Sequence, residues 1–469
     1  MKFVALNNFE KNINYIIFIC WTSLWLSLSF NPENLLNLNY EVKQCFFYNF
    51  DSKCIINMTR GIMPLLCFPI IILILIKDLK KEHIFDKSNN IFLFLVLFFL
   101  IQFIGLFYTN NDILNSYFLI NALNVVFISF LIKIRFPENL RNSILIFSLV
   151  ILFGVLIFYG STYFIKYFSQ SGNFYGVWGN IERDYQIYAP RPTGLGRTAL
   201  VILIFSSFFS CMNHNYKKIC LILNTICCTF IFLLTSRAIF FLFFVFLLSY
   251  FIFNRIIKFK DIFYNLLKFL IIPILLVYML SIVKTIFFEL DKTYLKNSYV
   301  GMIYKKIYNK ELNYEENYFL SLFGSKASRS LPKFRTNELG KFSSGRTEDW
   351  MSIIDNNKNI LFGYGVMGDR FLINQSASSI ILYSYASSGL LGLSLIVIII
   401  LLILKIIIKS SIFLRKNSIK VSCALTLFTL LGRSVLETSY GVFGIDLMLL
   451  GICIAVLISN DRNKTNESN

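Results

Sequence analysis

Five arginines stand in short polar stretches of an otherwise apolar chain. Arg191 and Arg197 lie in YAPRPTGLGRTAL (188–200), Arg237 in LLTSRAIFF (233–241), Arg346 in SSGRTEDW (343–350) and Arg433 in LLGRSVLETSYGVFG (430–444). A guanidinium keeps its charge at every physiological pH and matches phosphate oxygens two at a time. A set of them is chemistry for holding a phosphate or pyrophosphate and for stabilising it as it leaves. Three carboxylates accompany the arginines: Glu348, Asp349 and Glu437. Each is a candidate general base. Each also has a structural alternative. Glu348 and Asp349 suit the first turn of a helix beginning after Gly345, where the helix dipole favours negative charge. Arg433 and Glu437 are four apart and could pair with each other. Trp350 offers an aromatic face to a sugar. Gly194, Gly363 and Gly365 allow tight backbone turns beside the arginines. Arg237 is next to an apolar run, where a cation must pair, face a cavity or snorkel to the headgroups.

Other chemistries fit the residues poorly. There are only two histidines, His83 and His214, and the ten cysteines form no CxxC pair. No metal site has the required spacing, so no metal or other cofactor is expected. Most cysteines fall in apolar runs and read as small hydrophobes. Cys45 and Cys54 are a disulfide candidate in an oxidising compartment, or two free thiols. The net charge of +19 would suit nucleic acid. However, the basic residues lie between apolar segments rather than on one aromatic-interleaved face, so no nucleic-acid partner is expected.

The elements that must position these residues are membrane helices. Hydrophobic residues make up 56% of the 469 residues, and 51 are Phe. Mean hydropathy is +0.64. Such a chain takes the bilayer as its solvent. A spanning helix needs about 20 apolar residues. Twelve spans are expected, near 12–30, 62–76, 91–108, 112–132, 143–165, 198–212, 217–235, 237–254, 264–288, 386–409, 418–434 and 443–459. The first resembles a signal peptide in its small-x-small end, but eleven further spans favour an uncleaved helix. With the N-terminus in the cytoplasm, the inner loops collect far more Lys and Arg than the short outer loops, as the positive-inside rule requires. Both termini are therefore expected inside. The long loop 289–377 is expected outside, between helices 1–9 (residues 1–288) and helices 10–12 with the tail (residues 378–469). All five arginines then lie on the side where positive charge is disfavoured.

The order of short motifs is also informative. R-x-T-G-L-G, T-S-R, S-G-R-x-x-x-W, G-x-G, S-S-G-L-L-G-L and R-x-x-x-E follow one another between residues 180 and 445. This order, with twelve spans and a large loop between the ninth and tenth, resembles the O-antigen ligase/polymerase superfamily. The resemblance implies an all-α integral membrane protein with a GT-C-like glycosyltransferase fold in the bacterial inner membrane, its active face periplasmic. It implies a metal-independent reaction on an undecaprenyl-diphosphate-linked oligosaccharide. A chain-length regulator is the implied protein partner. By motif match the diphosphate-holding role falls to Arg191, Arg237, Arg346 and Arg433. Gly194, Arg197, Trp350, Gly363 and Gly365 line the substrate. In the ligase branch a His-Asn pair opens the helix before the Gly-Leu-Leu-Gly turn. Counting back from Gly389, that pair falls near Ser378 and Ser379, and the His is missing, which favours the polymerase branch. The rival readings are a ligase moving glycan to lipid A-core, a flippase for the lipid-linked unit, and an assembly scaffold. Transporters of this size show half-to-half repeats and mid-membrane breaks, and no clear repeat is present here.

Overall fold

The computed structural model describes residues 8–28, 52–79, 90–109, 112–169, 192–212, 217–234, 236–253, 259–297, 346–413 and 417–458, some at element ends by backbone only. Among the described residues the chain is all-helical, with no strand. The helices are α1 (Asn8–Ser27), α2 (Ser52–Leu79), α3 (Asn90–Gly105), α4 (Asp112–Arg135), α5 (Glu138–Ser169), α6 (Pro192–Met212), α7 (Lys217–Leu234) and α8 (Arg237–Phe253). They continue with α9 (Phe259–Leu266), α10 (Ile272–Asn297), α11 (Arg346–Asn356), α12 (Gly368–Ile373), α13 (Ile380–Phe413), α14 (Ser418–Ser434) and α15 (Ile445–Leu457). A π turn, Leu267–Ile271, joins α9 to α10, and a 3-10 turn, Ser439–Gly441, precedes α15.

Each of the twelve expected segments falls on a helix. Among the described residues, seven stretches are long and apolar enough to cross a membrane: Gly61–Asp78, Asn90–Tyr108, Asn115–Arg135, Glu138–Ser161, Lys217–Leu234, Ile262–Ile286 and Ile380–Ser410. Thr193–Phe209, Ala238–Ile252 and Ile445–Leu457 are shorter apolar helices. This is a membrane-embedded, all-α protein. Helix α13, which carries the tenth expected span, starts at Ile380, six residues ahead of the expected boundary at 386, because the serines and tyrosines of Ile380–Ser388 hid its start from a hydropathy reading.

The helices fall into two compact units. The first holds residues 1–151 and 346–469, the second 152–345. In the first unit α4 packs against α1, α2, α3 and α15, while α13 packs on α3 and α14. Small residues allow close approach. Gly451 of α15 faces Ser129 of α4 so closely that a Cβ there would overlap the Ser129 hydroxyl. Gly451→Leu is therefore expected to cost about 1–3 kcal/mol by overpacking, read as a lower melting temperature of the purified protein.

At the end of this unit opposite the N-terminus of α15, charges tie helices together. Arg135 makes a bidentate ion pair with Asp78. Arg141 donates to the carbonyls of Ala455 at 2.9 Å and Ile458 at 3.4 Å. That guanidinium satisfies carbonyls that the C-terminus of α15 leaves open.

In the second unit α7 packs against α6 and α10, and α8 against α6. Asn224 of α7 accepts from Ser206 and Ser207 of α6. Phe246, Tyr250 and Phe269 make mutual ring contacts that bind α8 to the π turn. Leu275, Tyr278, Met279 and Ile286 of α10 are exposed, as suits a helix with lipid for solvent.

Candidate functional site

Backbone strain marks one place in the described chain. Seven described residues have left-handed φ: Gly363, Gly365, Met367, Asn374, Ser378, Gly389 and Ser439. All belong to the first unit, and all lie around the N-terminal part of α13 or the 3-10 turn before α15. Four of the seven are not glycine. Such strain persists only where surrounding contacts enforce it, and it gathers at functional sites.

The centre is a break in α13. Gly389 (φ 60°, ψ −155°) divides the helix into Ile380–Ser388 and Leu390–Phe413. A break would leave backbone groups without partners inside the bilayer, where no water can serve them. The chain solves this with the segment after α11. Leu390 and Leu391 donate their N–H groups to the carbonyls of Ile360 (2.8 Å) and Leu361 (3.4 Å). Tyr364 and Gly365 donate theirs to the carbonyls of Ala386 (2.9 Å) and Ser387 (2.8 Å). Four backbone hydrogen bonds thus sew the 360–365 segment into the break. The fit leaves no room for side chains. A Cβ on Gly365 would meet the Leu106 N at 2.8 Å, and Gly105 of α3 lies directly against Gly365.

Polar side chains extend the seam. The Tyr383 hydroxyl accepts from the Met367 N–H at 3.4 Å and donates to Gln102 Oε1 at 3.5 Å. Gln102 Nε2 donates to the Gly441 carbonyl at 3.4 Å. One buried chain of contacts therefore links α12, α13, α3 and the 3-10 turn. Asp369, 2% exposed, accepts from the backbone N–H groups of Arg370 (2.9 Å) and Ala377 (2.8 Å). Burial pushes its carboxyl above the ordinary carboxylate range, against the hydrogen bonds from Ala377 and Arg370. A carboxyl raised in the folded state binds its proton more tightly there than in the unfolded chain. Its contribution to stability is full below the ordinary carboxylate pKa and is lost as pH rises through the raised value. Asp369→Asn is expected to abolish this part of the pH dependence. Thermal melts of wild type should decline across that window where the variant stays flat.

Arg346 opens α11, half-buried, with no ion pair among the described residues. It does not pair with Glu348 or Asp349, which occupy the first turn of α11 as the capping alternative requires. Glu348 accepts from the Thr347 hydroxyl at 3.2 Å, and Asp349 accepts from Gln375. Trp350 donates its indole N–H to the Ala377 carbonyl at 3.0 Å, tying α11 to the entry of α13. Ser378 and Ser379 stand at that entry, and the Ser379 carbonyl accepts from the Tyr383 N–H at 2.9 Å.

Arg433 does not take the pairing that its four-residue spacing from Glu437 allowed. Helix α14 ends at Ser434, and Arg433 pairs with Asp446 of α15 rather than with Glu437. Ser439 also donates to Asp446, at 2.8 Å. Arg433 is 9% exposed and Asp446 2%. Glu437 is half-buried beyond the helix end, with no ion pair among the described residues.

The remaining candidates are less completely placed. In the second unit, Gly194 and Arg197 are buried in the first turns of α6. Arg197 donates to the Thr198 hydroxyl at 3.4 Å, and Thr198 donates to the Gly194 carbonyl at 3.1 Å. Arg237 is the first residue of α8, described by its backbone only. Arg191 and Cys45 lie outside the described residues, as do the side chain of Cys54 and the loop from 298 to 345. The structure thus brings together Arg346, Glu348, Asp349, Trp350, Gly363, Gly365, Ser378 and Ser379. Tyr383 and Gln102 link that group to the turn beside Arg433.

Asp369, Tyr383, Gln102 and Asp446 were not legible as site residues. The available signal was a single polar group interrupting an apolar run, as in FGIDLMLL. Among the described residues no group of three His, Cys, Asp or Glu is placed to hold a metal ion. The first unit thus carries one arginine on a half-buried helix start, another paired with a buried acid, and a backbone fixed by main-chain bonds at the break in α13. No family model, curated protein or solved structure matches the chain.

Proposed function

We propose that this chain is an O-antigen polymerase, a metal-independent membrane glycosyltransferase that joins undecaprenyl-diphosphate-linked repeat units at the periplasmic face. The observation that carries the reading is that separate stretches of the motif order belong to one folded end. Residues 363–365 and 387–393 meet at the break in α13, 346–350 are tied to the entry of that helix through Trp350, and 433–437 adjoin the turn linked to it through Gln102. Sequence order alone does not require this.

In this reading the donor is a growing polymer on its diphosphate carrier. The acceptor is one repeat unit on a second carrier, and its sugar hydroxyl attacks the donor's anomeric carbon. The bond from that carbon to the diphosphate oxygen breaks, and the diphosphate leaves with the electron pair. Arg346 has no acidic partner among the described residues and stands at the start of α11, so in this reading it serves the leaving group or the glycan directly. Arg191 and Arg237 share the task by motif match. Arg433 is neutralised by Asp446 and holds the backbone of the site. Glu348, Asp349 and Glu437 remain the candidates to take the hydroxyl proton. Twelve spans with both termini in the cytoplasm and a GT-C-like arrangement belong to the same proposal. Reporter fusions after residues 85 and 330 should read inside and outside respectively, and the opposite pattern removes it.

The primary test is lipopolysaccharide from a strain lacking the gene. A core carrying one repeat unit and no ladder supports the polymerase. A bare core with long polymer left on the carrier indicates a ligase. A bare core with single units trapped on the cytoplasmic side indicates a flippase. In the complemented strain, Arg346→Ala should cut ladder formation by about 10²-fold or more, the scale of losing one preorganised charge contact, while the protein accumulates in the membrane as before. An intact ladder would exclude Arg346 from the chemistry.

A further inference from the structure

Helix α4 is largely enclosed in the first unit, and its buried face carries amides. Asn121 and Asn124 have no exposed surface. They are three residues apart, so their side chains lie on one face. Asn124 donates through Nδ2 to the Pro64 carbonyl of α2 at 2.8 Å, which fixes that face toward α2. Helix α2 carries Pro64 and Pro69 within its length. Pro69 has no N–H, so the Leu65 carbonyl loses its intrahelical donor.

Three polar atoms on this face find no hydrogen-bond partner among the described residues: Asn124 Oδ1, Asn121 Oδ1 and Asn121 Nδ2. Burying an amide without partners is costly, most of all where lipid excludes bulk water. The pattern of orphaned atoms selects the ligand. Asn121 needs a donor for Oδ1 and an acceptor for Nδ2. A cation would serve the oxygen and repel the NH₂, and an anion would do the reverse. Water both donates and accepts, and one molecule makes about three hydrogen bonds in such sites.

We propose that α4 holds a buried water site at Asn121 and Asn124 against the proline-containing stretch of α2. The site takes one or two ordered waters, which accept from Asn121 Nδ2 and donate to the two Oδ1 atoms. The Leu65 carbonyl is a further acceptor within the same pair of helices. The site is independent of the arginines and of the proposed polymerase activity. It joins two helices inside the apolar layer by amides that water completes.

The test is radiolytic hydroxyl labelling of the purified full chain in lipid nanodiscs, with ¹⁸O-water as the probe. Water held inside the protein oxidises its neighbours even when they are buried. Labelling of Leu123, 7% exposed, above the level of Leu447, 1% exposed, is expected in the wild type, with the excess read against the Asn121→Leu variant in which the exposure of Leu123 is unchanged. The excess should vanish in Asn121→Leu. Leu123 labelled no more than Leu447 in the wild type overturns the proposal, whether or not the variant can be purified. Melting temperature gives a second reading. If the amide were dry, Asn121→Leu would relieve an orphaned group and raise the melting temperature. The water site instead predicts a fall of about 2–4 °C or more, and an unchanged or higher value counts against it.

Discussion

Gly389→Val is expected to disable the first unit more than any other single exchange outside its apolar core. The position holds φ 60° and ψ −155°, a region open in practice only to glycine. A Cβ there would overlap the backbone of Leu361 and meet the Ile360 carbonyl at 2.5 Å. Neither neighbour can rotate away, because both are main chain. The substituted helix must either expel the 360–365 segment or straighten. Each course breaks the hydrogen bonds from Leu390 and Leu391 and leaves their partners without water. Conformational strain and lost backbone bonds together amount to about 4 kcal/mol or more. Gly154→Ala is the control, since nothing lies within 4 Å of a Cβ at that position. Helix propensity alone then predicts a gain of up to about 1 kcal/mol. Melting curves of the two variants beside wild type make the comparison. Similar behaviour of both would mean that the 360–365 segment is not seated in the break.

Asp446→Ala ranks second. Its carboxylate is the partner of a guanidinium that is itself 9% exposed. Removing one member of a buried pair leaves the other charge desolvated, at a cost of about 3–5 kcal/mol. Arg433→Ala should cost a similar amount. Replacing both by apolar residues, Arg433→Met with Asp446→Leu, removes both charges at once and should recover most of the loss. The four proteins form a cycle whose coupling term is read from melting or denaturant curves. The double variant also tests role. If it folds and still supports ladder formation, Arg433 acts only through the structure. If it folds and forms none, the guanidinium has a direct task at the substrate.

The sequence made the helices legible because hydropathy is a local quantity. Each of the twelve expected segments contains enough apolar residues to be recognised without knowing its neighbours. The start of α11 was equally legible, since Ser-Ser-Gly followed by two acids is a local signal for a helix N-terminus. The break at Gly389 was not. SSGLLGL announces a turn, but the carbonyls that make the turn affordable belong to Ile360 and Leu361, nearly thirty residues earlier. The partner of Arg433 was hidden for a similar reason. Glu437 is the nearer acid in sequence, yet α14 ends before it, and the chain reverses through Ser439–Gly441 to deliver Asp446. Asp369 was passed over because a lone acid in a loop is ordinarily solvated. Its burial is a property of the surrounding fold.

The seam at α13 also has a mechanical consequence. The two halves of the helix are held in register by a strand of main chain that belongs to another element, so neither half can slide or rotate alone. Trp350 pins α11 to the entry of the first half, and the second half continues to Phe413. A tug on Arg346 is therefore delivered through rigid joints along the whole length of α13, as through a lever with no slack at its pivot.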